Sequence, residues 1–548
     1  MVRRHLQSVV PASPTKSRPD HPFKASSMTF TPHRRDILSG ALAASVAGWA
    51  LPARAASVGA MALGNPELFS FDDLKTRAKE LAKTAHVPPP KPSATDPLRD
   101  MTFDTFAQAI YKPEMELWHG VPGAQTVRLF PQGRFYAEPV DIYVLENGQA
   151  RQVVYTPDLF NMPPNHPLRT LKSAGFAGFR LMSRGGVSDW LAYLGASYFR
   201  ASDPNDQYGG SARGLAINTG RPEEFPRFTS FWLEQNGAGM TIYALLESQS
   251  VTGAYRMDSR RIQGGQGGAL QDVECELYFR APVDLLGIAP LTGMFWYGEN
   301  SGHFRGDWRP EVHDCDGLSL WTGRGERIWR PLANPPRIVT NSFSDDNPKG
   351  FGLVQRDRNF ENYQDDSLFY DRRPSMWVEP LNAWGKGAVN LVQLPTANET
   401  EDNMVAFWTP EQKIVEGSVI NAKYRLYWGV DGPPTGDVGR IVATRIGLGG
   451  LGGRDLDLRH TKPGARKFMI DVEGKTLEEQ TRYGGTHTVV TSTRGKITGV
   501  EAFPVVGTKR WRMMFDLSDL DGKEADLRAF LQKDNVVLSE TWIYQAFP

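Results

Sequence analysis

Cysteine is nearly absent: Cys275 and Cys315 are the only two in 548 residues. Two thiols cannot build a disulfide framework or a cysteine-rich zinc site. They are expected to stay separate, packed as small apolar side chains, in preference to forming one bridge. A surplus of either charge is missing too, with Lys plus Arg and Asp plus Glu at 62 each. Without basic excess there is little to neutralise a phosphate backbone, which argues against nucleic acid as a partner. Beyond the first fifty or so residues no apolar run is long enough to cross a bilayer, so no stable membrane span is expected. The chain has no G-x-S-x-G elbow, no H-E-x-x-H and no P-loop. One glycine-rich match, GLGGLG at Gly447–Gly452, follows the strand-like IVATRI, but GRDLDLRHTKPGAR comes next, with Pro463, Gly464 and no apolar stripe. A dinucleotide site needs a helix there to receive the pyrophosphate, so a flexible loop is expected and no cofactor.

What is present begins with an address. Arg34 and Arg35 precede ILSGALAASVAGWAL (Ile37–Leu51), and Ala53-Arg54-Ala55 supplies an A-x-A cleavage signal. Residues 1–55 read as a twin-arginine (Tat) signal peptide, although Asp36, Ile37 and Ser39 depart from the usual pattern. Either the n-region is long or Met28 is the true start. The mature chain is expected to begin near Ala56 and to be exported by the twin-arginine machinery into the periplasm.

The remainder is too long for one ordinary domain. Phe71–Ala85 reads as a helix, with Ser70 and Asp73 resembling a capping box and Leu74, Ala78, Leu81, Ala82 and Ala85 on one stripe. Ile142–Tyr155 reads as a hairpin turning at Asn147-Gly148. Strands are expected at Thr241–Glu247, Val273–Phe279, Gly293–Tyr297, Ala388–Leu394, Met404–Trp408 and Ala422–Trp428, with no helices alternating between them. That pattern excludes a βαβ protein and predicts an all-β chain, a large N-terminal antiparallel β-sandwich over 63–428. GVDGPPTGDVG opens a linker at 429–441, and short strands over 442–548 suit an immunoglobulin-like β-sandwich.

Two stretches carry the chemistry. Asp307–Trp321, DWRPEVHDCDGLSLW, packs four acids, an Arg, a His and two Trp into fifteen residues, and Pro395–Trp408, PTANETEDNMVAFW, brings Glu399, Glu401 and Asp402 to the mouth of a strand. Cores do not tolerate that mixture unpaired, whereas a sugar site uses it: Trp faces stack on pyranose rings and carboxylates handle hydroxyls and protons. The two stretches are expected to face each other across one cleft. Asp314 and Asp316 share a face if they lie on a strand. They could bind a metal with His313 and Asp307, act as base and orienting neighbour, or form only a hydrogen-bonded polar turn. Glu399, Glu401 and Asp402 could equally be solvated loop acids. Tyr370, Arg372, Arg373 and Trp377 in YDRRPSMWVEP could orient a carboxylate or form an interstrand ion pair. Ten of the fourteen Trp fall between Trp190 and Trp428, which suggests aromatic surface in the middle of the chain.

With GFAGFR (175–180), LGASYFR (194–200), QYGGSARGLAI (207–217), HDCDGLSLW, DNPKGFGLVQRDRNFENYQD (346–365), RRPSMWVEP, WGKGAVNLVQLPT, ETEDN, YRLYW and the near-terminal SETWIYQAFP in order, the sequence resembles the glucans biosynthesis protein D/G family over nearly the whole mature chain. The twin-arginine signal favours the D type. The resemblance implies a galactose-mutarotase-like supersandwich followed by the immunoglobulin-like domain. It also implies a periplasmic role in controlling the backbone of osmoregulated β-1,2-glucans, as an inverting endo-β-1,2-glucanase, a glycoside hydrolase. Carried over, Asp402 is the general acid and Asp314 the general base; Tyr370, Arg373, Glu399, Trp321 and Asp316 bind substrate, and no metal is used. Asp307, Trp308 and the loop 300–305 look variable within the family, which puts subsite shape in doubt. The alternatives are a non-catalytic glucan-binding or scaffold protein and a Tat-exported cofactor oxidoreductase. The partners implied are β-1,2-glucan and the Tat machinery, with a homodimer as a further option.

Overall fold

The structure is a computed structural model; it describes residues 61–548 apart from 90–96, 172–173, 184, 238, 263–266, 302–305, 434 and 451–463. The signal segment, part of the 300–305 loop and residues 451–463 therefore lie outside the described residues.

Strand periodicity explains the main sheet. In Val419–Gly429 the side chains of Ile420, Ala422, Tyr424, Leu426 and Trp428 enter the core while Val419, Asn421 and Lys423 face solvent, the period of two of a strand with one wet face. This strand pairs antiparallel with Gly268–Phe279 on one side and Ser375–Pro380 on the other. The sheet continues through Val251–Ile262, Gly239–Glu247 and Arg227–Asn236 in one direction and through Gly350–Val354, Gly317–Trp321 and Arg327–Pro331 in the other. A second sheet runs Val339–Asp346, Lys386–Gln393, Met404–Pro410, Leu286–Gly293, Ser211–Arg213, Tyr198–Ala201, Asp189–Leu194, Phe176–Met182 and Val127–Pro131. The two sheets face each other across one large core, where Phe179 meets Phe231 at 5.1 Å and Phe199 meets Trp428 at 6.0 Å between ring centroids. The architecture is the expected all-β sandwich. It is not antiparallel throughout: Asp141–Glu146 runs parallel to Arg227–Asn236, and Arg327–Pro331 parallel to Thr541–Ala546.

The second parallel pair has a structural consequence. Ile328 and Trp329 pair with Thr541 and Trp542, so the main sheet runs on into Ala525–Lys533 and His487–Ser492. Facing these is a separate sheet of Arg440–Leu448, Arg466–Glu473, Trp511–Ser518 and Lys496–Pro504. The core between them holds Phe468, Ile470, Met513, Phe515, Leu527 and Trp542, and it also takes Trp329, Ala333 and Val354 from the earlier part of the chain. Gly447 and Leu448 belong to the strand Arg440–Leu448, so the glycine run starts as strand and not as loop.

Local signals hold at the periphery. Ser70 accepts from the Asp73 N–H and caps Phe71–Leu81, whose Leu74 and Ala78 pack on Trp232, Leu245 and Ala254. The helix ends short of Ala85 because Arg280 takes the Leu81 carbonyl with Nε and Nη2 at 3.1 and 2.9 Å, satisfying a terminal acceptor that another turn would use. Asn147 and Gly148 both have positive φ, 53° and 74°, as a type I′ hairpin turn requires. Among the described residues no helix is long and apolar enough to cross a membrane.

Candidate functional site

The site is built on one strand end. In Leu286–Gly293, Thr292 pairs with Val405 and Gly293 with Met404. Met404, Ala406 and Trp408 enter the main core, and Val405 and Phe407 enter a smaller cluster on the other face. With both faces committed, this strand cannot shift register, and Asp402, two residues before Met404, is held at its mouth. Asn403 locks the approach: its side chain accepts from the Phe295 N–H at 2.8 Å and donates to the Phe295 and Leu394 carbonyls at 3.0 and 2.9 Å. On the opposite side the Asp314 N–H donates to the Met294 carbonyl at 2.8 Å, and His313 pairs with Phe295. Gly293 permits this approach, since a Cβ there would stand 2.9 Å from the Cys315 Sγ. Both acids thus hang from the end of the same strand.

Their electrostatics are joint. Asp314 is 2% exposed, and its Oδ1 lies 3.5 Å from Arg373 Nε. Burial pushes its carboxyl up, against Arg373, His313 and Arg200. Burial first, and the Asp314 charge second, push Asp402 up to about 6, against Arg213, Arg200 and the Thr292 hydroxyl. Two carboxyls that feel one another in a desolvated place do not ionise independently.

Beside them Tyr370 donates to Glu399 Oε2 at 2.7 Å, and the Arg373 guanidinium lies 5.0 Å from the Tyr370 ring centre. Burial, and next the Asp314 charge, raise the Tyr370 phenol far above its ordinary range, so it remains a neutral donor. Glu399 also receives Arg309 at 2.7 Å, and the same guanidinium reaches Asp307 at 2.7 Å and Asp365 at 2.8 Å. One buried arginine therefore ties the 307 stretch to the 399 stretch, and the two acidic stretches do meet. Asp314, Asp402, Tyr370, Arg373 and Glu399 come together.

Asp316 and Trp321 do not join them. Residues 314–316 fall in the break between the strands Val312–His313 and Gly317–Trp321, so the i, i+2 rule has no strand to act on. Asp316 turns away from Asp314: its Oδ2 accepts the Arg356 and Asp357 N–H groups, and its Oδ1 stands 3.5 Å from His313 Nδ1. The same divergence separates Asp314 from Asp316, and among the described residues no cluster of acidic, His or Cys side chains is arranged to hold a metal ion. Trp321 sits about 13 Å from Gly317, at the far end of the strand, with the Arg327 guanidinium 3.5 Å from its ring centre. The wealth of tryptophan also proves to be core: Trp190, Trp232, Trp329, Trp377, Trp408 and Trp428 are buried, and Trp308 is largely exposed. Cys275 and Cys315 are both free, buried thiols.

Sequence reasoning missed Arg200 and Arg213, the cations that oppose the burial of Asp402. Arg213 is 6% exposed, bonds Glu223 at 2.8 Å and lies 4.6 Å from the Tyr198 ring centre. Ser211 pairs with Thr292 and Arg213 with Tyr198, so strand register delivers it. Both arginines lie in stretches that carry the family resemblance, but nothing local in them points to Asp402.

The family described as "Periplasmic glucan biosynthesis protein, MdoG" matches residues 69–546. The chain belongs to that family. It is 43% identical over 536 residues to glucans biosynthesis protein D 2 of Ralstonia nicotianae, covering 94% of this chain and 98% of the relative. It is 42% identical over 534 residues to glucans biosynthesis protein D of Xanthomonas oryzae pv. oryzae, and over 531 residues to that of Stenotrophomonas maltophilia, with the same coverage. These proteins are named for glucan biosynthesis and not as glycoside hydrolases, which overturns the expected assignment of this chain as an inverting hydrolase. The chain's place is in periplasmic glucan biosynthesis.

Proposed function

We propose that Asp314, Asp402 and the polar side chains gathered beside them hold a glucan chain, β-1,2-linked, and that the protein serves glucan assembly in the periplasm as a glucan-binding protein, reached by twin-arginine export. The observation that carries this reading is the convergence of two buried carboxyls from distant stretches on one strand end, each within reach of a guanidinium's field. Such a pair is costly to the fold, because burying like charges without full compensation opposes folding. Perturbed carboxyls brought together in this way are candidates for a functional role. Their surroundings suit a sugar. Every hydroxyl both donates and accepts, and here the Asp314 and Asp402 carboxyls lie near the guanidinium groups of Arg373 and Arg213. The family's tie to glucans gives the ligand class.

Calorimetric titration of the mature protein with linear β-1,2-glucan tests this, with a β-1,3-glucan as control. Saturable binding of the β-1,2 chain is expected. Arg373→Ala should weaken it by about 10–100-fold, the worth of a hydrogen bond to a charged group. No saturable heat with β-1,2-glucan, or equal affinity in Arg373→Ala, refutes the reading.

A further inference from the structure

His313 is 1% exposed and enclosed by rings, stacked on Phe295 and edge-on to Tyr363, each centroid at 5.2 Å. Its protonation follows from its partners. Nδ1 lies 3.1 Å from Gln355 Oε1 and Nε2 lies 2.9 Å from Glu311 Oε2. The Gln355 amide cannot be turned round, because its Nε2 donates to the Tyr370 carbonyl at 3.0 Å, to the His313 carbonyl at 3.4 Å and to the Tyr363 hydroxyl at 2.8 Å. That hydroxyl gives its own hydrogen to the Asp357 carbonyl. Gln355 Oε1 is therefore an acceptor, and Nδ1 must carry a hydrogen. Nε2 faces a carboxylate, and an imidazole is the stronger base by about two pH units. Both ring nitrogens donate, which only the imidazolium can do. Asp316 Oδ1 at 3.5 Å adds a second anion. Glu299, Asp357 and Arg356 line the same small cavity, and Arg356 is engaged by Glu540 at 2.7 Å.

Resting on the reading of Asp314 and Asp402 as the glucan site, we propose that His313 is a buried imidazolium throughout the neutral range and acts as a positioning residue: its charge keeps the adjoining Asp314 ionised and leaves the site's exchangeable proton on Asp402. The ring itself bonds Gln355 and Glu311, and only its field reaches Asp314. Burial raises the Asp314 carboxyl, and Arg373 first and His313 second are the charges that oppose that rise; the imidazole itself is pushed up to about 9, with the Glu311 hydrogen bond and Asp316 overcoming its burial.

The test is nitrogen-15 NMR of histidine-labelled mature protein across about pH 5 to 8. One imidazole should keep imidazolium shifts at both nitrogens throughout, and that signal should vanish in His313→Gln. If every imidazole of the wild-type protein becomes neutral by about pH 7.5, the proposal is overturned without any variant. Carbon-13 carboxyl titration, assigned with Asp402→Asn and Asp314→Asn, supplies the second readout. In His313→Gln the Asp314 midpoint should rise by about one pH unit or more and the Asp402 midpoint should fall; unchanged midpoints overturn the proposal. If His313→Gln does not fold, Glu311→Gln keeps the ring and should bring its titration into the measured range. Absent glucan binding alongside an imidazolium at neutral pH would sink the glucan reading alone, whereas intact binding with a neutral His313 would sink only this inference.

Discussion

Asp402→Asn should make the protein more stable at neutral pH while impairing glucan binding. The Asp402 carboxyl stands at about 6 against an ordinary 3.8. The folded state therefore holds this proton more tightly than the unfolded chain does. Below the unfolded value both states are protonated and the group costs nothing. As pH rises towards 6 the unfolded chain loses its proton first, and stability falls until the folded carboxyl also ionises. At about 1.4 kcal/mol per pH unit the full cost above pH 6 is about 3 kcal/mol. Asparagine is uncharged at every pH, fills the same volume and can still meet the Thr292 hydroxyl, now 3.4 Å from Asp402 Oδ2. Urea unfolding at about pH 7.5 should show the variant more stable by up to about 3 kcal/mol, and near pH 4 the difference should close. A variant that is less stable at pH 7.5, or a difference that does not change with pH, refutes the argument. Such a gain on removing a site residue is the usual sign of a functional group held against the interest of the fold.

Arg309→Met should cost about 3 kcal/mol or more and weaken glucan binding, because Asp307, Asp365 and Glu399 lose their shared cation; unfolding and titration of the same sample read both. Glu540→Ala strands Arg356, which Glu540 grips at 2.7 and 2.8 Å, and should cost about 3–5 kcal/mol in chemical unfolding. Trp321→Ala should leave glucan affinity within about twofold, given the Arg327 guanidinium 3.5 Å from its ring centre; a tenfold loss would return Trp321 to the site. His313 is raised to about 9, so its stabilisation is full below the unfolded value near 6.5 and is lost as pH rises through 9. Between pH 7 and 9 wild type should lose more stability than His313→Gln, as melting curves at matched salt would show.

How far the sequence carried depends on the range of the physics involved. Capping by Ser70, the Asn147-Gly148 turn and the strand expected at Ala422–Trp428 follow local rules, and they appear, the strand running on to Val419–Gly429. The joins that shape the molecule are not local: nothing near Ile328 or Thr541 announces that they pair in parallel. Composition also misleads where burial and ligand stacking draw on the same residue, as the buried tryptophans show. Asp314 and Asp402 could be named from the chain because the resemblance singled them out. Arg200, Arg213 and Arg309 could not be assigned partners, since an arginine's partner is set by register and packing far away in sequence. Asp316 faces away from Asp314 for a related reason, as its neighbourhood is a break between strands.

The run Glu311-Val312-His313-Asp314 shows how a charge can be supplied without occupying the site. Alternation puts Val312 against Met294, Tyr363 and Tyr370, while Glu311 and His313 line the small cavity on the other side. Asp314, one residue on, returns to the Arg373 side. A cation placed in the site would compete with the ligand for Asp314, as a lysine there would. One placed behind the strand exerts its field through the backbone, and His313 does oppose the burial of Asp314. A difference of about 1.4 kcal/mol between two neighbouring carboxyls shifts a shared proton tenfold towards one of them. Arg373 alone would favour an ionised Asp314 but is itself exposed to displacement by ligand, with 17% of its side chain open. His313, closed in by Phe295, Tyr363 and Gln355, keeps the bias in place when the site is full.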